Sequence, residues 1–326
     1  MSISLSVILP TRNRSELLQR ALLSLADQTL PSGEFEVIVV DNGSTDDTKE
    51  ICTGIGQRLP NLHYLYEASP GLHVGRHAGL MTAVGQILVY GDDDIRAFPT
   101  WLEAVVEGFS DSEVGLLGGK ALPDFESPPP AWIEQLWRMT PWGKILPQYS
   151  VLDFADDVKT IDPLYVWGCN FCIRKSLLEE FGGFHPDGMP QEFIRFRGDG
   201  ETAVSIAMKK SGYKTLYHPK ASVHHFVSSK RMTYDYLRRR AYAQGISDSY
   251  TRIRSSGGVP PHGQLRAGLG MLKGRSKAQV RNWLRGENLA GMQARAYWSG
   301  YLFHHKEVAN DPNLLAWVLK KNYLVS

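Results

Sequence analysis

The chain has 326 residues, enough for one large α/β domain with an appendage or for two modest domains. With 43% apolar residues, 21% charged residues and a net charge of +2, its composition is that of an ordinary globular enzyme and does not imply a polyanion-binding protein overall; no nucleic-acid partner is expected. Cys52, Cys169 and Cys172 are too few for a disulfide framework and suit a reducing compartment, and no window approaches the roughly 18 to 20 apolar residues of a membrane-spanning helix, so a cytoplasmic protein, soluble or peripheral, is expected.

The apolar start, Met1 to Pro10, lacks the basic flank of a signal peptide and reads as a first strand. Further β-rich runs follow at Phe35 to Val40, Leu62 to Tyr66 and Ile87 to Tyr90. Between the first two, Leu17, Leu18, Ala21, Leu22 and Leu25 recur at helical spacing, with Ser15 or Asn13 placed to cap the helix. Strand, helix, strand in this order implies a parallel sheet with crossover helices. Residues 121 to 165, rich in Pro and Trp, show weak periodicity and read as a long irregular segment of the kind that forms a lid or binding loop.

Regular pattern resumes with a strand ending at Ile173, a helix near Lys175 to Glu180, a helix over Glu201 to Ser211, and strands at Lys214 to Tyr217 and Ala221 to Phe226. Cys169 and Cys172 sit in the first of these strands, where they read as small packed residues. Beyond about residue 245 the chain turns helical and basic. Arg252, Arg254, Arg266, Lys273, Arg275, Lys277, Arg281 and Arg285 occur with no acid between Asp248 and Glu287, a run that suits either a solvated helix face or an anionic membrane surface. The division expected is 1–245, in halves 1–120 and 121–245, followed by a helical extension over 246–326.

In open parallel sheets ligands bind beyond the carboxyl ends of the strands. The residues there are Thr11, Arg12 and Asn13 after the first strand, Asp41 to Asp46 after the second, and Asp92, Asp93 and Asp94 after the fourth. Three adjacent carboxylates repel one another unless a cation neutralises them, and Mg²⁺ or Mn²⁺, bound by one or two carboxylates with phosphate oxygens, does this well.

The segments Val7 to Asn13, Val37 to Asp46, Gly71 to Gly79, Ile87 to Asp94, Gly168 to Asn170, Gly182 to Phe184, Gly212-Tyr213 and Pro219 to His225 together resemble the family 2 glycosyltransferases over about the first 240 residues. The resemblance implies the GT-A fold, a Rossmann-like α/β architecture whose mixed, mainly parallel sheet is flanked by helices, here with a helical C-terminal extension. It further implies inverting, metal-dependent transfer of a single sugar from a nucleotide diphosphate sugar, UDP by family habit, to an acceptor hydroxyl. In that reading Thr11, Arg12, Asp41 and Arg76 bind the donor, Asp94 is the direct metal ligand, and Asp92 and Asp93 lie toward ribose and metal-bound water, with Asp92 also offered to the metal.

The base belongs in Arg197 to Thr202, where the family's Glu-Asp pair is altered to Asp199-Gly200-Glu201. Glu201 is the first choice and Asp199 the second. His225, or His224 if the register slips by one, is a further metal ligand. A catalytically dead binding scaffold and a sugar-nucleotide pyrophosphorylase are the rival readings; the altered base motif favours the first, and the lack of a Gly-rich N-terminal loop disfavours the second. The acceptor class, glycan, lipid-linked saccharide, protein or small metabolite, is open, as are membrane contact through the basic C-terminal region and a homodimer.

Overall fold

The computed structural model describes residues 3–261 and 289–325. The basic run from Arg266 to Arg285 lies outside them. The chain divides into two compact units. The first comprises Met1–Phe184, Gly200–Val227 and Asn322–Ser326, and the second His185–Asp199 and Ser228–Lys321.

At the centre of the first unit, β1 (Leu5–Thr11) runs parallel to β2 (Phe35–Asp41) on one side, and that in turn to β3 (Leu62–Tyr66). On its other side β1 is parallel to β4 (Ile87–Gly91). β1, β2 and β4 are buried along their whole length, as strands covered on both faces must be, whereas the edge strand β3 is half exposed. The crossovers are α1 (Ser15–Ala26), α2 (Thr48–Ile55) and α3 (Leu72–Thr82). α3 lies close on β1 because Gly79 faces Ile8, where a Cβ would come within 2.4 Å of the Ile8 side chain.

After β4 the chain forms the short β5 (Ile95–Ala97), then α4 (Trp101–Phe109), β6 (Val114–Gly118) and β7 (Ala121–Phe125). The segment expected to be irregular is not. It contains β7, β8 (Arg138–Met139), β9 (Lys144–Leu146), β10 (Val151–Asp153) and β11 (Lys159–Thr160), joined by 3-10 turns. Runs of two to five residues are too short to register as an alternating pattern, which is why periodicity misses them. Two of its aromatics, Tyr149 and Phe154, are fully buried, with Phe154 5.4 Å from Tyr217 and 5.7 Å from Tyr165 between ring centroids, whereas Trp132, Trp137 and Trp142 are half-buried.

The remaining elements of this unit are β12 (Asn170–Arg174), α5 (Lys175–Glu180), α6 (Thr202–Ser211), β13 (Lys214–Tyr217) and β14 (Val223–Val227). They complete an eight-stranded sheet, ordered β11-β13-β6-β12-β4-β1-β2-β3, and a six-stranded sheet, ordered β5-β14-β7-β10-β9-β8. β12 is antiparallel to β4 and β6, so the main sheet is mixed. Strands from before and after residue 120 share both sheets, so the two expected halves interleave.

In the second unit, α7 (Tyr234–Ser255), α8 (Leu289–Asn310) and α9 (Pro312–Leu319) pack around Tyr250, Ile253, Val308, Leu314 and Val318. α7 and α8 cross at backbone contact through Gly245 and Gly300. A Cβ on either would lie 1.9 to 2.0 Å from a carbonyl oxygen of the facing helix. The boundary expected at residue 245 falls inside α7. No described helix is long and apolar enough to cross a membrane.

Candidate functional site

The carboxyl ends of β1, β2 and β4 bring the expected residues together. Thr11 and Asp41 are register partners. The Asp41 carboxylate accepts hydrogen bonds from the Ser44 N–H and the Tyr64 hydroxyl, both at 2.7 Å, which fixes it at the strand end. Burial and that carboxylate push the Tyr64 hydroxyl up in pKa. Arg12 is exposed beside Thr11. The cap of α1 differs from expectation: Arg14 holds the N-cap position without a side-chain capping bond to the helix, and Asp46 instead accepts from the Ser15 N–H at 3.0 Å.

Asp93 and Asp94 are buried directly beyond β4. Thr11 Oγ1 donates to Asp93 Oδ2 at 2.8 Å, while Arg14 reaches Asp93 Oδ1 at 2.8 Å and Asp94 Oδ2 at 3.2 Å. Burial raises the Asp93 carboxyl to about 6, against the pull of Arg14, and the two carboxylates raise the Arg14 guanidinium in turn. Arg14 was not among the residues singled out in the sequence. The only signal for it is a second arginine two residues after Arg12 in a strand-end loop.

His225 and His224 point to opposite faces of β14, as alternation requires. His224 stacks on Phe98 with ring centroids 5.0 Å apart. His225 is buried; its Nδ1 lies 2.7 Å from the Tyr149 carbonyl oxygen and its Nε2 3.2 Å from Asp94 Oδ1. A carbonyl oxygen only accepts, so Nδ1 carries the proton and Nε2 is turned toward the carboxylate. Asp92, Asp94 and His225 each offer a ligand atom within 4.8 Å of the others, and two carboxylates with one neutral imidazole suit Mn²⁺ or Mg²⁺. The residues present fit a divalent cation.

Arg76, almost fully buried on α3, joins this cluster to a further acid. Its Nη2 lies 3.7 Å from Asp92 Oδ1, and its Nη1 3.5 Å from Glu201 Oε2. Loss of solvation raises the Asp92 carboxyl, with Arg76 opposing it. Glu201 occupies the N-cap position of α6 and accepts from the Gly168 N–H at 3.2 Å. Asn170, two residues on, is buried with Oδ1 accepting from Trp101 Nε1 at 3.0 Å. Cys169 and Cys172 are buried free thiols, and burial first, then Asp92, Asp94 and Glu201, pushes the Cys169 thiol far up. Asp199 belongs to the other unit, where its oxygens are taken by His185 Nδ1 and Thr251 Oγ1, both at 2.6 Å.

The sequence matches the profile of glycosyl transferase family 2 over residues 6–182. The chain belongs to that family. The matched span holds Asp41, Arg76, the acidic triplet and Gly168 but ends before Glu201 and His225. Among relatives of this family-2 chain, the glycosyltransferase AglE of Haloferax volcanii is 39% identical over 115 residues, 35% of this chain and 38% of the relative. Validoxylamine A glucosyltransferase of Streptomyces hygroscopicus subsp. jinggangensis is 28% identical over 201 residues, 56% of this chain and 47% of the relative. The chain thus spans less than half the length of these curated relatives.

A mannosyltransferase from Pyrobaculum calidifontis, solved with GDP-Man and Mn²⁺, superposes with a TM-score of 0.55 at 21% identity, over 100% of this chain and 86% of that one. Residues 1–349 of TarS from S. aureus, solved with UDP-GlcNAc, give 0.51 at 17% identity, over 94% and 92%. The fold is that of the GT-A glycosyltransferases.

Proposed function

We propose that the chain is an inverting, metal-dependent glycosyltransferase that moves one sugar from a nucleotide diphosphate sugar, a UDP-sugar first, to an acceptor hydroxyl. The observation that carries this reading is the cluster Asp92, Asp94 and His225 at the carboxyl ends of the strands, tied through buried Arg76 to Glu201. The UDP-GlcNAc and GDP-Man bound by the solved structures of similar fold support a nucleotide-sugar donor.

In this proposal Thr11, Arg12 and Asp41 receive the base and ribose, Asp92 faces the ribose and the cation, and Asp93, locked by Thr11 and Arg14, holds the turn that presents its neighbours. Asp94, Asp92 and His225 would hold Mn²⁺ or Mg²⁺. When bound, the cation offsets the negative charge that grows on the departing diphosphate. Glu201, partly exposed, takes the proton of the acceptor hydroxyl as the acceptor oxygen bonds to the anomeric carbon. The bond from that carbon to the phosphate oxygen breaks, and its electron pair leaves with the nucleoside diphosphate. Asp199 is the weaker candidate for base because His185 and Thr251 already occupy its oxygens.

The test is a thermal-shift panel of UDP-, GDP- and dTDP-sugars with and without Mn²⁺, followed by donor hydrolysis. A ligand bound only by the native state raises apparent stability, by roughly 2.7 kcal/mol at a hundred times its Kd. One nucleotide class should stabilise the protein in a Mn²⁺-dependent way and be hydrolysed slowly. Donor binding with equal, negligible hydrolysis by wild type and Asp94→Ala would instead mark a non-catalytic scaffold.

A further inference from the structure

Gly168 stands where Arg76 and Glu201 meet. A Cβ built on it would lie 2.2 Å from Arg76 Nη2, 3.2 Å from Cζ and 3.4 Å from Nη1, so the guanidinium occupies the space a side chain would need. Gly168 is not among the glycines with positive φ, so what it supplies here is volume and not backbone freedom. Its N–H is the donor that holds Glu201 Oε1 at 3.2 Å.

The guanidinium has nowhere convenient to withdraw. Arg76 is 2% exposed, and its Cζ lies 5.0 Å over the centre of the Phe184 ring. Phe184 is fully buried, edge-on to Tyr90 at 4.9 Å and to Phe171 at 5.5 Å, with His77 stacked 6.3 Å away. The arginine is therefore clamped between an aromatic floor and the bare face of Gly168, with Asp92 and Glu201 at its two ends.

We infer that Gly168 is a positioning residue: its missing side chain seats Arg76 between Asp92 and Glu201, and its N–H aims the Glu201 carboxylate. The seating stands on geometry alone; its catalytic consequence rests on the proposed role of Glu201 as base.

The experiment is a double-mutant cycle of Gly168→Ala and Arg76→Ala, read by thermal denaturation without ligand and by steady-state transfer well below the melting temperature. Gly168→Ala in the wild-type background should lower Tm by roughly 4 °C or more, as overpacking a closed site does. In the Arg76→Ala background it should cost nothing, because the clashing group is gone. Transfer should follow the same coupling. Gly168→Ala alone should lower kcat by on the order of 10²-fold, more than it changes KM, as misplacement of a reacting group does, and should add little to Arg76→Ala.

If Gly168→Ala does not fold but Arg76→Ala does, the double variant should fold too, and a double variant that fails where Arg76→Ala folds overturns the seating; if Arg76→Ala does not fold, Arg76→Met takes its place in the cycle. Equal losses of Tm from Gly168→Ala in both backgrounds overturn it as well. Coupled Tm values in a protein whose wild type neither binds nor turns over a nucleotide sugar would sustain the seating and sink the proposed function, so the two failures are separable.

Discussion

His225 Nε2 stands 3.2 Å from Asp94 Oδ1, with the Tyr149 carbonyl fixing the other ring nitrogen as the protonated one. When the ring is neutral, Nε2 and Oδ1 are two facing acceptors, and a cation between them satisfies both. Chelation of divalent ions should therefore abolish transfer, and Mn²⁺ alone should raise Tm. His225→Ala should raise the Mn²⁺ concentration needed for half of that shift by at least the 10- to 100-fold typical of disturbing a ligand's supporting partner. Asp94→Asn should remove the shift. Equal Mn²⁺ stabilisation of wild type and both variants would remove the metal from this cluster.

The two candidate bases separate by what else they do. Glu201 is partly exposed and bound by one N–H, whereas Asp199 is buried with both oxygens engaged. Glu201→Gln should lower kcat by about 10² to 10⁴-fold while donor-induced stabilisation persists. Asp199→Asn should cost roughly 1–3 kcal/mol of stability, because one of its two partners loses its acceptor, and should leave kcat within a few-fold in the fraction that stays folded. The reverse pattern, measured by urea denaturation and initial rates, would transfer the base role to Asp199.

What the sequence made legible follows the range of the interactions. Strand ends are local, so Thr11, Asp41 and the triplet could be placed beyond a parallel sheet from their own neighbourhoods. The count from Pro219 favours His225 over His224 with a register open by one, and geometry sets His225 beside Asp94. Arg14 escaped because its partners lie 79 and 80 residues away, and nothing in the loop after β1 announces them. Tyr149 escaped for a different reason: it contributes a backbone oxygen, which has no residue signature, from a turn between strands too short to show a period.

Arg14 is half-exposed, yet it is the charge partner of two buried carboxylates. Charge-assisted hydrogen bonds are worth about 1.5–3 kcal/mol, and solvent screening discounts that, so Arg14→Met should cost roughly 1–2 kcal/mol at pH 8 without divalent ions. The pH sign follows from Asp93. Burial lifts its carboxyl from 3.8 to about 6, so its contribution to stability is present below pH 3.8 and lost as pH rises through 6, a loss that Arg14 limits. The cost of Arg14→Met should therefore be smaller at pH 5 than at pH 8. Denaturant midpoints at the two pH values check this; a cost that grows toward acid would show that Asp93 is not the partner that matters.

The second unit carries a titration of opposite sign. His304 is fully buried on α8, with Nδ1 3.1 Å from Ser249 Oγ on α7, and burial first, then His305, lowers its pKa from 6.5 to about 3. The folded chain holds this ring neutral, while the unfolded chain takes up a proton below pH 6.5. Stability is thus present above 6.5 and drains as pH falls toward 3, at about 1.4 kcal/mol per pH unit for one proton. His304→Gln keeps a polar group opposite Ser249 but cannot titrate. Between pH 6 and 4.5 its urea-unfolding free energy should fall less steeply than that of wild type by close to this slope, whatever its stability at pH 7. Parallel slopes would mean that the imidazole reaches solvent or gains a proton in the fold, and the tight α7–α8 crossing through Gly245 and Gly300 would then need to open around it.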